Sequence, residues 1–215
     1  MMVVRPAGAG NRSEGNVDED WLGGVPASGR IHFDVFVAGS RDGFHTITFQ
    51  RDGRDLLVNV EVRIRVRLMF ITVFDYRQSV RERWQDGHLV SFESETVDGD
   101  NIDKVRGAAI DGKFLVDSRR AGSVEMSADI LPTTAFWRRD AVGHHRFLDA
   151  ARGDFRDVKI KDLGWQHTEQ AGRQEFLQRY HVASSRDFDV WYDSSGQWRR
   201  LEWSGFGVTA SYIRA

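Results

Sequence analysis

The stretch from Val58 to Leu68, VNVEVRIRVRL, alternates without a break between apolar and polar residues. Successive side chains of a β-strand point to opposite faces, so this alternation predicts a half-buried strand. One face carries valine, isoleucine and leucine, and the other carries Arg63, Arg65 and Arg67. Such a strand belongs in a sheet that has one apolar face and one polar face.

Turn signals separate further β-prone runs along most of the chain. They are Asp42-Gly43, Asp52-Gly53, Asp86-Gly87, Asp98-Gly99, Asp111-Gly112 and Ser195-Gly196. Asp-Gly tolerates positive φ and suits tight hairpins. Strands are predicted at residues 31–38, 44–51, 55–68, 70–85, 88–97, 102–110, 113–119, 123–127, 156–163, 173–183, 187–193, 197–204 and 206–213. Evenly spaced strands with short turns indicate an antiparallel meander.

About thirteen strands in one flat, open sheet would expose long edges and twist strongly. The predicted fold is therefore all-β, an antiparallel meander closing into a β-barrel or a strongly curved half-barrel. Between the strands predicted at 123–127 and 156–163, one short helix is predicted near 134–140. Thr134 would cap this helix, and Trp137 would face inward.

The row of three arginines has two interpretations. It is either a surface that binds anions or nucleic acid, or part of the solvent-exposed outer face of the sheet. Thirty basic and thirty-two acidic residues give a formal charge of -2, so no global positive field attracts nucleic acid. The residues between the arginines are aliphatic, whereas nucleic-acid surfaces interleave aromatic residues. We therefore predict a solvated outer face, with acidic neighbours such as Glu93 and Glu95 pairing across strands, and no nucleic-acid partner.

Residues 1–28 are predicted to form a flexible leader, and residues 29–215 a single domain. Trp21 and Leu22 could attach the leader to this domain. The leader lacks the apolar core of a signal peptide, which predicts a cytoplasmic location for the sequence as written. No run of 18 apolar residues exists, so no transmembrane helix is expected. The absence of cysteine excludes disulfides and thiolate chemistry.

Three longer motifs resemble a bacterial, β-rich, barrel-like envelope-protein family defined as a domain of unknown function. They are FDVFVAGSRDGFHTITFQRDG, FDYRQSVRERWQDGHLVSFES and VWYDSSGQWRRLEWSGFGVTASYIR, and the resemblance covers roughly residues 30 to 214. It implies a barrel-like fold, no established activity and no catalytic residues to transfer. Members of that family usually carry a signal peptide, which implies a periplasmic or secreted location if the native leader differs.

A few polar residues fall on predicted inward faces. His45 shares the apolar face of its strand with Ile47 and Phe49, and Tyr76 and Glu82 share a face with Trp84. Buried polar groups need hydrogen-bond partners, which the protein, water or a ligand can supply. Two interpretations remain for His45, Tyr76 and Glu82. They form a polar patch in an apolar cavity, or they are structural groups whose hydrogen bonds are satisfied within the protein. Histidine titrates near neutrality, so a general-base role is a further reading.

Sequence motifs for cofactors and metals are missing. The adjacent His144 and His145 would point to opposite faces of a strand, and the other histidines lack metal-ligand spacing. No phosphate-binding glycine loop, dinucleotide motif or nucleophile elbow is present. No cofactor and no metal are therefore predicted.

The leading functional hypothesis is a binding protein that holds a small hydrophobic or amphiphilic molecule in its interior. His45, Tyr76 and Glu82 would orient a polar head, and Trp84 and Trp137 would pack against the body of the ligand. The alternative is a small-molecule enzyme that uses the inward His, Glu and Tyr patch as acid and base in the same cavity. A third reading is a barrel filled by its own side chains. A homo-oligomer through a sheet edge, at 123–127 or at the final strand, is also considered.

Overall fold

The computed structural model describes residues 19–68, 71–170, 172–205 and 208–215. The predicted leader therefore lies outside the described residues as far as residue 18. The first positions of the strands predicted at 70–85 and 206–213 also lie outside them.

Antiparallel strands make up most of the described chain. The first group is β1 Arg30–Val37, β2 Ser40–Asp52, β3 Asp55–Leu68, β4 Ile71–Gln85, β5 His88–Asp98, β6 Asn101–Ile110, β7 Lys113–Ser118 and β8 Gly122–Ser127. Three short strands follow, β9 Leu131–Pro132, β10 Arg146–Leu148 and β11 Phe155–Asp157. The last group is β12 Lys159–Gln170, β13 Arg173–Ala183, β14 Phe188–Tyr192, β15 Trp198–Gly205 and β16 Val208–Arg214. The meander predicted from the alternating runs is confirmed.

Within the described ranges, the long strands form one 13-stranded sheet in the order β12-β13-β14-β15-β16-β1-β2-β3-β4-β5-β6-β7-β8. The first and last strands pair with each other in its middle, where Val35 lies opposite Tyr212. The hydrogen-bonded order ends at β8 and at β12. The prediction of an edge at 123–127 is therefore confirmed, whereas the final strand is not an edge, because β15 and β1 flank it.

The sheet is strongly curved, because the consecutive residues Phe136 and Trp137 contact strands that are far apart in its order. The Tyr192 hydroxyl of β14 donates a 2.8 Å hydrogen bond to the carbonyl oxygen of Phe136. The next residue, Trp137, packs against Trp84 of β4 with ring centroids 5.9 Å apart. In a flat sheet the six steps from β14 to β4 would span about 29 Å, so the sheet must curl around these two residues.

Residues 128–158, here called the interior segment, run from β8 to β12 and pack inside the curve. They contain β9, β10, β11 and the 3₁₀ helices Ala135–Trp137 and Arg139–Gly143. Their buried side chains include Ala135, Phe136, Trp137, Phe147 and Leu148. The single helix predicted near 134–140 is thus two 3₁₀ turns, and Thr134 makes no side-chain cap. Its hydroxyl donates instead to the Glu82 carboxylate.

The bond from Tyr192 attaches the interior segment to the sheet and can be tested separately. We expect Tyr192→Phe to lower the free energy of unfolding by about 1–3 kcal/mol, because it leaves the buried Phe136 carbonyl without a donor. Urea unfolding of the purified protein measures the change. Tyr212→Phe is the matched control, and an equal loss in both variants would contradict the role of this bond.

One predicted turn is wrong. Asp42-Gly43 lies inside β2, and the hairpin between β1 and β2 turns instead at Ala38 and Gly39, with φ of 48° and 86°. Gly43 is needed for a different reason, since a Cβ there would lie 2.1 Å from the carbonyl oxygen of Arg63 on β3. At Asp86-Gly87 and Asp111-Gly112 both residues have positive φ, as a type I′ hairpin requires.

The outer face carries the arginine row as predicted. Arg63 and Arg67 are exposed, and Arg65 is half-buried. The predicted partners are wrong, because Arg65 pairs with Asp75, and Glu95 pairs with Lys104. Cross-strand register explains this, since Asp75 lies directly opposite Arg65.

Trp191 is a buried aromatic side chain on the outer face of the sheet, with 4% of the residue exposed. The guanidinium groups of Arg179 and Arg200 lie 5.2 and 5.0 Å from its ring, one on each neighbouring strand. Its neighbour Tyr192 belongs to the inner core. These two consecutive aromatic residues therefore lie on opposite faces of the sheet.

The described chain begins with a short 3₁₀ helix, Glu19–Leu22, that contacts the body. The Trp21 ring lies 6.5 Å from the ring of Trp137, and Leu22 packs against the core. No helix in the described ranges is long and apolar enough to span a membrane.

Candidate functional site

The five residues predicted for the site lie on the inner side of the sheet but not in one place. Glu82, Trp84 and Trp137 lie near the Asp86-Gly87 turn, here called the lower end. His45 and Tyr76 lie toward the opposite, upper end, where β3 ends and β4 begins. Tyr76 and Glu82 are six residues apart on β4, or about 20 Å along the strand. The structure therefore divides the predicted patch into two clusters.

The lower cluster centres on Glu82, whose side chain is enclosed, with 3% of the residue exposed. The indole nitrogen of Trp84 donates a 2.8 Å hydrogen bond to Oε2, and the Thr134 hydroxyl donates to Oε1. Burial raises the pKa of Glu82 to about 7, against the opposing effect of these two hydrogen bonds and of the nearby Arg138. The carboxyl group is thus held between the sheet and the interior segment.

Arg138 and Trp137 complete the lower cluster. The Arg138 guanidinium lies 5.2 Å from the Trp84 ring, donates a 2.8 Å bond to the carbonyl of Gly87, and pairs with Asp140. Trp84 and Trp137 are both fully buried and meet edge to face. This cluster has its polar groups largely satisfied by protein, which is the pattern of a structural anchor.

The upper cluster centres on His45, of which 7% is exposed. Three aromatic rings surround its imidazole, with centroids at 5.9 Å for Phe33, 5.5 Å for Trp198 and 5.8 Å for Tyr212. Its buried Nε2 has no hydrogen-bond partner in the described chain. Burial, with a smaller contribution from His32, lowers the pKa of His45 to about 3, so the ring is neutral at physiological pH.

Tyr76 lies at the rim of the upper cluster. Its half-buried ring stacks on Phe74 with centroids 6.2 Å apart, and burial raises its pKa to about 12. Burial also raises the pKa of Tyr212, and Tyr76 adds to that effect, which places the two phenols near each other. One row further along β4, Gln78 donates a 3.0 Å hydrogen bond to the Thr96 hydroxyl.

Sequence reasoning did not assign Phe33, Trp198 and Tyr212 to this site. Nothing in the spacing of these three residues along the sequence indicates that β1 and β16 are neighbours. Only the pairing of the two ends of the chain brings Tyr212 next to His45.

Two open depressions in the described part of the chain lie on the outer face rather than in the interior. The larger, of about 530 Å³, runs across β5 to β8 and is lined by Leu115, Ala108, Arg106 and Asp117 among others. The smaller, of about 240 Å³, lies over β2 to β4. The described residues contain no group of three His, Cys, Asp or Glu side chains placed to hold a metal ion.

A curved antiparallel meander with an aromatic inner face defines a β-barrel-like domain. Residues 33–215 match the family described as Domain of unknown function (DUF6134), and the chain belongs to that family. This agrees with the resemblance found in the sequence motifs.

A solved structure has the same fold. It is titled as the crystal structure of a beta-barrel-like protein of Domain of Unknown Function DUF1849 from Brucella abortus. The likeness covers 86% of this chain and 94% of that chain, with a TM-score of 0.60 and 10% sequence identity. At that identity the likeness establishes the fold. No curated protein matches the chain.

Proposed function

We propose that this protein binds a small hydrophobic or amphiphilic molecule at the upper end of its interior. The observation that carries the proposal is the buried Nε2 of His45, which lacks a hydrogen-bond partner inside an aromatic cage. Unpaired buried polar atoms cost free energy, and a ligand with one polar group would satisfy this one. Apolar pockets with few polar groups are typical of such binding sites.

The access route in this proposal passes Tyr76 and Phe74. Both face inward, yet Tyr76 is half-buried and Phe74 is 38% exposed, so the rim offers apolar surface. The lower cluster has no part in binding, because Glu82 already accepts two hydrogen bonds and lies among packed side chains.

The enzymatic alternative has less support. An enzyme of this kind needs its acid and base groups close together, but about 20 Å of strand separates Tyr76 from Glu82. His45, with a pKa of about 3, is a weak base at neutral pH, and efficient general bases have a pKa near the working pH.

A fluorescence titration with N-phenyl-1-naphthylamine, a small apolar probe, tests the proposal. We expect saturable binding that weakens about tenfold in Tyr76→Ala, because an aromatic wall of the site is lost. His45→Gln retains hydrogen-bonding capacity and should bind nearly as well as the parent protein.

Leu115→Ser, on the larger outer depression, is the matched control and should leave the titration unchanged. Probe binding that depends on Leu115 and not on Tyr76 would contradict the interior site, as would the absence of saturable binding. Native mass spectrometry of gently purified protein, followed by denaturing extraction, identifies any molecule that copurifies.

A further inference from the structure

The hairpin of β3 and β4 extends beyond the rest of the sheet at the upper end. Pairing of β2 with β3 reaches only Ile64, and pairing of β5 with β4 reaches only Tyr76. Residues 65–68 and 71–75 therefore form a two-stranded ribbon. Among the described residues no strand pairs with it on either side, and at its base the Gly99 amide donates a 3.0 Å hydrogen bond to the carbonyl oxygen of Asp75. At 3.3 Å per residue the ribbon projects about 15 Å beyond its neighbours.

This ribbon exposes large apolar side chains. Ile71 is 70% exposed, Val73 is 56% exposed and Phe74 is 38% exposed. An isolated two-stranded hairpin is marginally stable in water, so a projecting ribbon with this composition is suited to an apolar environment.

Arginines surround the base of the ribbon. From Arg63 to Arg77 the sequence holds four arginines, at 63, 65, 67 and 77, against the single carboxylate of Asp75, for a local charge of +3. Arg65 holds Asp75 at 2.5 Å, and Arg77 lies 3.8 Å from it. Arg63 and Arg67 remain exposed to solvent.

We propose that this ribbon docks on an anionic lipid bilayer, with Ile71, Val73 and Phe74 in the interfacial region and Arg65 and Arg67 at the headgroups. An apolar element that enters a membrane interface beside basic residues gains from both burial and attraction to anionic lipids.

The acidic residues of the adjacent turn are compatible with this orientation. Asp98 lies opposite Tyr76, five residues behind Ile71 on the ribbon, which places it about 16 Å farther from the bilayer. Arg63 and Arg77 lie opposite each other one row behind Tyr76, so they are at least as far from the bilayer. This distance exceeds the Debye length at physiological salt, so both the repulsion from these carboxylates and the attraction of these two arginines are screened. Arg65 and Arg67 therefore supply the attraction to the headgroups. The proposal does not depend on the interior ligand.

Cosedimentation with vesicles tests the docking. One set contains phosphatidylcholine alone, and the other contains about 30 mol % phosphatidylglycerol. We expect the full chain to bind the anionic vesicles and to bind less at higher salt. Ile71→Ser/Val73→Ser and Arg65→Gln/Arg67→Gln should each weaken binding about tenfold or more, because each pair removes one of the two contributions.

Ile110→Ser is the matched control, because Ile110 is 49% exposed and lies at the lower end of β6, away from the ribbon. Equal binding to neutral and anionic vesicles, or full binding by either double variant, would overturn the proposal. Failure to bind any vesicle would also overturn it. If the protein then forms a dimer that Ile71→Ser/Val73→Ser abolishes, the ribbon instead contacts a second copy of the chain.

Discussion

Glu82→Gln is expected to raise the free energy of unfolding at pH 8 by about 3 kcal/mol relative to the parent protein. The pKa of Glu82 is about 7 in the folded state, against an ordinary value of 4.5. Between these values the native state keeps a proton that the unfolded state has lost. The stabilisation is therefore fully present below pH 4.5 and is lost as the pH rises to 7. The glutamine side chain of the variant is neutral at every pH, so the variant does not lose this stabilisation.

Urea unfolding at half-unit steps from pH 4 to pH 8 measures the effect. The Glu82→Gln profile should diverge from the parent profile as the pH rises and should run parallel above pH 7. Glu61→Gln, on the exposed face of β3, is the control and should follow the parent protein. Parallel profiles for Glu82→Gln and the parent throughout would contradict a buried, shifted carboxyl group.

His45→Phe is expected to remove an acid sensitivity of about 5 kcal/mol. The pKa of His45 is about 3 in the folded state, against an ordinary value of 6.5. Between these values the unfolded state binds a proton that the native state does not. The stabilisation is therefore fully present above pH 6.5 and is lost as the pH falls toward 3. Phenylalanine cannot take up a proton in either state.

The same unfolding series, extended to pH 3.5, measures this difference. His88→Gln is the control, because His88 is exposed. If His45→Phe loses stability in acid as steeply as the parent protein, the imidazole is not held neutral in the fold.

The two shifts oppose each other between pH 4.5 and 6.5. Each corresponds to one proton and to about 1.4 kcal/mol per pH unit, with opposite sign. The contributions of Glu82 and His45 therefore cancel in the parent protein over this interval. Each single variant reveals the slope of the other residue, and the double variant should restore the parental slope.

Much of the sheet could be predicted because its signals are local. Alternation over Val58 to Leu68 defines β3 and its inner face, and Asp86-Gly87 and Asp111-Gly112 supply residues that tolerate positive φ. The interior segment could not be predicted in the same way. Strands of two or three residues, such as Leu131–Pro132, are too short to have a period.

The site could be predicted only in part, for a related reason. Alternation alone places His45, Tyr76 and Glu82 on inward faces. Their distances from one another depend on position along the strand, and their partners depend on contacts far apart in sequence. The bond from Thr134 to Glu82 joins residues 52 apart, and it replaced the helix cap that local reasoning had assigned to Thr134.

The pairing of β1 with β16 has a consequence for the order of events during synthesis. Phe33 pairs with Arg214, about 180 residues further along the chain, so this contact closes a very long loop. Every other neighbouring pair in the large sheet is a hairpin between consecutive strands. On the ribosome, the hairpins from β1 to β8 can form early, but β1 keeps one edge unpaired until the C-terminal strand emerges. The centre of the finished sheet is therefore the last part of it that can be assembled.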